Sequence, residues 1–278
     1  MNKQSKIMSR VEEHYQEALS YFSADQIVGI FLQGSQNYDL DIKGSDVDTK
    51  LVVLPSLEDI VFNRKAVSTT HIRKNDEHID IKDVRLMMNQ FRKQNINFLE
   101  ILFTEYKMMN PSYKQQWNRL IDSREEIARY DMCRAIKAAR GMAEQKFHAL
   151  KHPYPSKIDV LKKYGYDPKQ LHHIFRIAEF MRSFFIEGKS YEHSLIPRNK
   201  EYLKEVKQGK IPKQSVDKIV TEVMESINLM ETRFINEHED VKLNYVNEIL
   251  DDVLFNIMEI YIKSTFNLSN WDWRDRFR

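Results

Sequence analysis

Ile27-Val28-Gly29-Ile30-Phe31-Leu32-Gln33-Gly34-Ser35 is followed, after ten residues, by Asp46-Val47-Asp48-Thr49-Lys50-Leu51-Val52-Val53-Leu54. The first run is rich in β-branched and aromatic residues and reads as a buried strand, Ile27 to Gln33. Gly34 to Ser45 carries Asn, Asp and Gly throughout and reads as a turn. A second strand runs from about Val47 to Leu54 and stops at Pro55. Of the chain's seven glycines, Gly29, Gly34 and Gly44 fall within these few residues, so the backbone here has a special conformation to adopt. Asp46 and Asp48 stand two apart on a strand and therefore point to one face, with Cα atoms roughly 6.6 Å apart. Carboxylates so placed can converge on a pair of cations about 3.5–4 Å apart, the arrangement for in-line phosphoryl displacement. Gly34 lets backbone N–H groups approach a phosphate, and the Ser35 hydroxyl adds a donor.

A third carboxylate is expected from a neighbouring strand, and His78-Ile79-Asp80-Ile81-Lys82 supplies one. Asp80 lies between two isoleucines and faces away from their apolar side. In such a strand a lone Asp is costly unless it is exposed or meets a cation, which favours a ligand role. Asp76 and Glu77 read as turn residues, and Asp83 shares parity with Ile81. Gly-Ser and Asp-x-Asp taken singly are common in turns and at strand edges; the ordered set is much rarer.

Outward from this core, Lys6 to Phe22 reads as an amphipathic helix through Val11, Tyr15, Leu19 and Phe22. Residues 66–71 and 78–83 read as strands. A helix follows with Val84, Met87, Met88 and Phe91 on one face, then short helices over 97–103 and 111–120. Beyond Arg124 the strand signals end. One long helix is expected over 124–151, a helix starting at Pro168 after Asp167 as N-cap, and two more over 213–237 and 242–266. The reading is an α+β fold: a small mixed-sheet domain, 1–122, and an all-helical domain, 123–278.

With 42% apolar and 30% charged residues, 31 aromatics and net charge +2, the 278-residue chain has the composition of a globular protein, not a disordered one. The longest nearly apolar run, Ile27 to Leu32, is far below the roughly 20 residues of a membrane span. The start has no apolar signal region, and Cys133 is the only cysteine, so a reducing cytoplasmic location is expected and no cysteine zinc site. The near-neutral total conceals a division. Residues 124–212 carry +8 and residues 213–278 carry −5. The basic segment points to a polyanionic partner, or alternatively to a solvated surface paired with the acidic final segment, which contains Trp271-Asp272-Trp273-Arg274.

The ordered set of strand, Gly-Ser, Asp-x-Asp and hydrophobic-Asp-hydrophobic resembles the nucleotidyltransferase superfamily typified by DNA polymerase β. Gly34-Ser35-Gln36-Asn37-Tyr38-Asp39-Leu40 with Gly44-Ser45-Asp46-Val47-Asp48 looks like the YcgL-like group, also called RlaP, the RNA-ligase-associated polymerase-β-like proteins. So do Val84-Arg85, Asn95 to Phe103, and Lys163-Tyr164-Gly165-Tyr166-Asp167 with Lys169, His173 and Arg176. The likeness spans 27 to about 190 and departs at Ile96, where Pro is expected. It implies a small polymerase-β-like catalytic domain and template-independent transfer of a nucleoside monophosphate from an NTP such as ATP, beside RNA end repair and an RNA ligase. Asp46, Asp48 and Asp80 would hold two Mg²⁺, with Mn²⁺ as substitute. Gly34, Ser35, Arg85, Tyr164, Tyr166, Lys169, His173 and Arg176 would contact nucleotide or phosphate.

On physical grounds, Lys169, His173 and Arg176 at i, i+4, i+7 share a helix face distinct from the apolar one, suited to phosphate contact or simply solvated. For Arg85, Asn95, Asn97 and Glu100, capping or packing competes with substrate contact. His172 reads as structural and Cys133 as inert. An RNA 3′ end is the first choice of acceptor. Nucleotidylation of a protein, as in toxin–antitoxin systems, and a non-catalytic RNA-binding protein are the alternatives.

Overall fold

The structure is a computed structural model that describes residues 2–265; Phe266 and the Trp271–Arg274 segment lie outside them. Helix α1 (Lys3–Ala18) starts at Asn2, whose side chain accepts from the Ser5 N–H. Five strands follow: β1 (Ile27–Gln33), β2 (Asp48–Val53), β3 (Ser68–Ile72), β4 (His78–Asp83) and β5 (Lys107–Met109). They form one mixed sheet in the order β3-β4-β2-β1-β5, with β2 and β4 parallel and the other pairs antiparallel. The longer helices are α2 (Val84–Arg92), α3 (Pro111–Asp122), α4 (Met132–Lys151), α5 (Pro168–Met181), α6 (Lys200–Lys207), α7 (Lys213–Glu237) and α8 (Asn244–Thr265). This is a small mixed sheet followed by a helical part, the α+β architecture expected from the sequence.

The sheet buries both faces. Ile27, Ile30, Leu32, Leu51, Val53, Ile79 and Ile81 pack under α1 through Ile7, Val11 and Ala18. Val28, Phe31 and Val52 point the other way, toward Trp117 of α3, whose ring stacks on Phe31 at 5.1 Å. Period-2 alternation alone would put Ile27 and Phe31 on the same side. A register shift between Ile27 and Gly29 rephases β1 so that Ile27 and Phe31 face opposite layers. Gly29 is required there: a Cβ would stand 3.0 Å from the Met108 carbonyl of β5.

The Trp117 core does not stop at residue 122. It runs on through Ile136 and Ala139 of α4, Leu171 and Ile174 of α5, and Leu250 and Val253 of α8. Helix α8 returns against α2 and α3, where Asp251 and Asp252 pair with Arg92 and Arg119, each at 2.6 Å. The sheet and the helical part are thus joined by shared apolar burial, worth about 1.5–3 kcal/mol for each large side chain.

The single helix expected over 124–151 is broken. Arg124–Ala128 forms a short helix, and Asp131 then caps α4 by accepting from the Arg134 N–H at 2.8 Å. An Asp at this point competes with the helical backbone and starts a new helix instead. Strand β5 and helix α6 carried no expectation in the sequence. Among the described residues no helix is long and apolar enough to cross a membrane.

Candidate active site

A cleft lies between the sheet and the α4–α5 layer. It consists of two chambers, of about 290 and 530 Å³, that share Gln33, Gly34, Asp48, Lys146, His173 and Arg176. Five of the residues expected to act together line its larger chamber: Gly34 and Ser35 from the β1 turn, and Lys169, His173 and Arg176 from α5. Asp46 and Tyr164 line the larger chamber, Asp80 the smaller, and Asp48 both. Helix α5 begins where Asp167 accepts from the Lys169 N–H at 2.9 Å and Pro168 opens the first turn.

Two expected residues stand elsewhere. Arg85 lies at the start of α2, and its guanidinium embraces the Asp83 carboxylate with contacts of 2.9 and 2.6 Å. Asp83 is itself buried and caps α2, so this fork is committed to the helix start. Tyr166 is buried with its hydroxyl donating to the Ile211 carbonyl at 2.9 Å. His172 is also buried, its Nδ1 2.9 Å from the Leu203 carbonyl oxygen. Burial brings its pKa down to about 4, so it is neutral at physiological pH.

The Gly34 backbone has φ +85° and ψ −156°, a region essentially reserved for glycine, and no atom would crowd a Cβ there. The conformation rather than space demands glycine, and it leaves the turn open toward the cleft. On the far side, Lys207 of α6 reaches into the same turn. Its Nζ lies 3.2 Å from Ser35 Oγ, 3.2 Å from Ser45 Oγ and 3.2 Å from the Leu40 carbonyl. The larger chamber is lined by Lys43, Lys146, Lys157, Lys169, Arg176 and Lys207, against Asp46, Asp48 and Asp167. Burial lowers the Lys207 pKa, and neighbouring Lys169 adds to the effect. Lys207 and Lys146 escaped the sequence reading because a lone Lys on a helix carries no signal of what it faces.

Register explains how the acidic residues sit. Asp48 and Lys50 occupy one face of β2, and the parallel pairing puts Lys50 directly opposite Asp80 of β4. Lys50 is only 2% exposed, yet its Nζ is 2.5 Å from Asp80 Oδ2 and 4.1 Å above the Phe98 ring. Lys82 holds the other Asp80 oxygen at 3.1 Å. Asp48 accepts from the His78 N–H at 2.9 Å and faces that imidazole at 3.3 Å. Asp46 is exposed at the cleft, with no ion pair or side-chain hydrogen bond among the described residues.

Among the described residues no three His, Cys, Asp or Glu side chains gather as a metal cage. Asp46 and Asp48 offer all-oxygen donors at the cleft, a set that fits one hard divalent cation completed by phosphate oxygens. The set with Asp80 does not fit a second, because both Asp80 oxygens are engaged by ammonium groups.

Beneath the chambers a buried network joins the two layers. Glu100 accepts from the Tyr38 hydroxyl at 2.5 Å and lies 3.6 Å from the Arg176 guanidinium, which sits 4.2 Å over the Tyr38 ring. A second network supports the Asp46–Asp48 segment: Glu77 accepts from the Val47 N–H at 3.3 Å and is bound by Arg10, His14, Arg73 and Asn75.

The chain matches no protein-family model and no curated protein. Among solved structures it is similar to a nucleotidyltransferase-like protein from Exiguobacterium sibiricum, at 11% identity over 96% of this chain and 81% of that one, with a TM-score of 0.30.

Proposed function

We propose that this cleft is the active site of a template-independent nucleotidyltransferase that moves a nucleoside monophosphate from an NTP to an acceptor hydroxyl, with an RNA 3′ end as acceptor in RNA repair. One observation carries the reading. The open Gly34–Ser35 turn and the Asp46–Asp48 pair face one cleft whose larger chamber is lined by six Lys or Arg side chains against three Asp. That excess of cations suits a triphosphate. Ser35, Lys169 and Lys207 bind the β- and γ-phosphates, and Asp48, shared by both chambers, marks where the α-phosphate meets the acceptor. The smaller chamber, with Phe98, Phe180 and Ile177 on its walls, takes the acceptor's terminal nucleotide by stacking and apolar contact.

In the transfer, the acceptor oxygen bonds to the α-phosphorus as the bond to the bridging oxygen breaks. Pyrophosphate leaves with the electron pair, and the acceptor proton passes to solvent. Asp46 and Asp48 would hold a Mg²⁺, which when bound neutralises charge on the phosphate oxygens. Arg176, oriented by Glu100 and Tyr38, adds a fixed cation beside the reacting group. The test is incubation with each of the four labelled triphosphates, Mg²⁺ and a pool of nicked tRNA. Label destroyed by RNase and spared by protease supports the RNA acceptor; the reverse pattern supports nucleotidylation of a protein; no label in either overturns the reading.

A further inference from the structure

Asp80, Lys50 and Lys82 form a trio of one carboxylate and two ammonium groups, with contacts of 2.5 and 3.1 Å. The trio carries net +1, so a dication approaching Asp80 meets repulsion rather than a vacant ligand. Lys50 cannot simply swing aside. The parallel β2–β4 register fixes it opposite Asp80, its side chain is 2% exposed, and Phe98 covers its ammonium. Taking Asp80 away to coordinate an ion would strand a buried ammonium on an aromatic face, which is costly. At the same time Lys50 and Asp48 share one face of β2 and line the same chamber, with Cα atoms roughly 6.6 Å apart.

We propose that Lys50 is a built-in cation of the transfer site: its ammonium supplies the positive charge a second ion would bring, Asp80 is a positioning residue for it rather than a ligand, and one divalent cation accompanies each bound nucleotide. The inference rests on the nucleotidyltransferase reading. The mechanism then resembles a hybrid, with one exchangeable cation on Asp46 and Asp48 and one fixed cation on the chain, each acting on charge that develops at the phosphoryl group. A fixed ammonium requires no loading, so ion dependence is simple rather than cooperative.

The experiment is ion counting on the full chain. Bound Mn²⁺ is measured by electron paramagnetic resonance at saturating α,β-methylene nucleoside triphosphate. The wild-type protein is expected to bind one Mn²⁺ per chain, and Asp80→Asn also one. Two Mn²⁺ in the wild type, or loss of an ion in Asp80→Asn, overturns the inference while leaving the nucleotidyltransferase reading intact. Failure to bind any of the four analogues overturns both. Lys50→Ala is expected to slow single-turnover transfer about 100-fold with analogue affinity changed by less than about threefold, and Lys50→Arg to restore part of the rate. An Lys50→Ala rate within about threefold of wild type contradicts the assigned role. The wild-type count needs no variant and decides the matter even where Lys50→Ala fails to fold.

Discussion

Lys207 Nζ lies 3.2 Å from Ser35 Oγ although 172 residues separate them in the chain. The contact ties α6 of the basic segment to the turn after β1, and it makes the wall of the proposed triphosphate chamber from both parts of the molecule. Because Lys207 also holds Ser45 and the Leu40 carbonyl, the turn that precedes Asp46 is shaped around this one ammonium.

Lys207→Met keeps the aliphatic stem and removes the charge. Triphosphate affinity is expected to fall at least about tenfold, on the scale of a hydrogen bond to a charged group, and monophosphate affinity to change much less. Burial lowers the Lys207 pKa, so the free protein holds this proton less tightly than an exposed lysine does. Binding a polyanion favours the charged form, so it draws in protons. Affinity should therefore weaken as pH rises through the lowered pKa. Calorimetry in buffers of different ionisation enthalpy is expected to report proton uptake in the wild type and a smaller uptake in Lys207→Met.

Gly34→Ala places a Cβ where nothing crowds it but where φ is +85°. The expected cost is about 1–3 kcal/mol from backbone strain alone, read as a shift in urea midpoint. Nucleotide affinity should drop as well, since relief of the strain flips the peptide that faces the proposed triphosphate chamber.

Glu100→Ala removes a buried carboxylate that serves both Tyr38 and Arg176. An expected loss of about 2–4 kcal/mol follows from leaving a buried hydroxyl and guanidinium without their partner. Tyr38→Phe removes only one of these contacts and should cost about 1 kcal/mol. Chemical denaturation distinguishes the two, and transfer activity should follow Glu100 more closely than Tyr38 because Glu100 orients Arg176.

Glu77 gives the molecule an acid-sensitive support. Burial acts to raise its pKa, but hydrogen bonds from Arg10, His14 and Asn75 hold it at about 2. A carboxylate depressed in the folded state stabilises fully above its unfolded pKa, here near 4.5, and loses that contribution as pH falls toward 2. Burial lowers the pKa of His14, so protons taken up by the unfolded chain below pH about 6.5 also oppose folding. Stability should decline monotonically from near neutrality downward. Glu77→Gln should cost about 2–4 kcal/mol at pH 7 and flatten the profile below pH about 4.5. Since Glu77 holds the Val47 N–H between Asp46 and Asp48, the variant should also lose activity at neutral pH.

The parts of the fold legible in the sequence were those with local signals. The β1 run, the Gly34–Ser35 turn and the Asp167-Pro168 helix start each announce themselves within a few residues. Strand β5 did not, because three half-buried residues at a sheet edge show no alternation. The break before α4 was missed because no strand or proline signal interrupts residues 124–151, and Asp131, which caps α4, was the overlooked cue. Asp80 was read as a carboxylate seeking a cation; the sequence held that cation too, in Lys50, but only the β2–β4 register reveals that they meet. Lys207 lay beyond local reading altogether, since its partners are set by how α6 packs against the sheet.

The role proposed for Asp46 and Asp48 is nucleotidyl transfer in this cleft. It is tested most directly by transfer of α-labelled nucleotide to nicked tRNA in Mg²⁺, comparing the wild type with an Asp46→Ala, Asp48→Ala double variant of matched thermal stability. Labelled product is expected from the wild type and none above background from the double variant. Undiminished transfer by the double variant would contradict it.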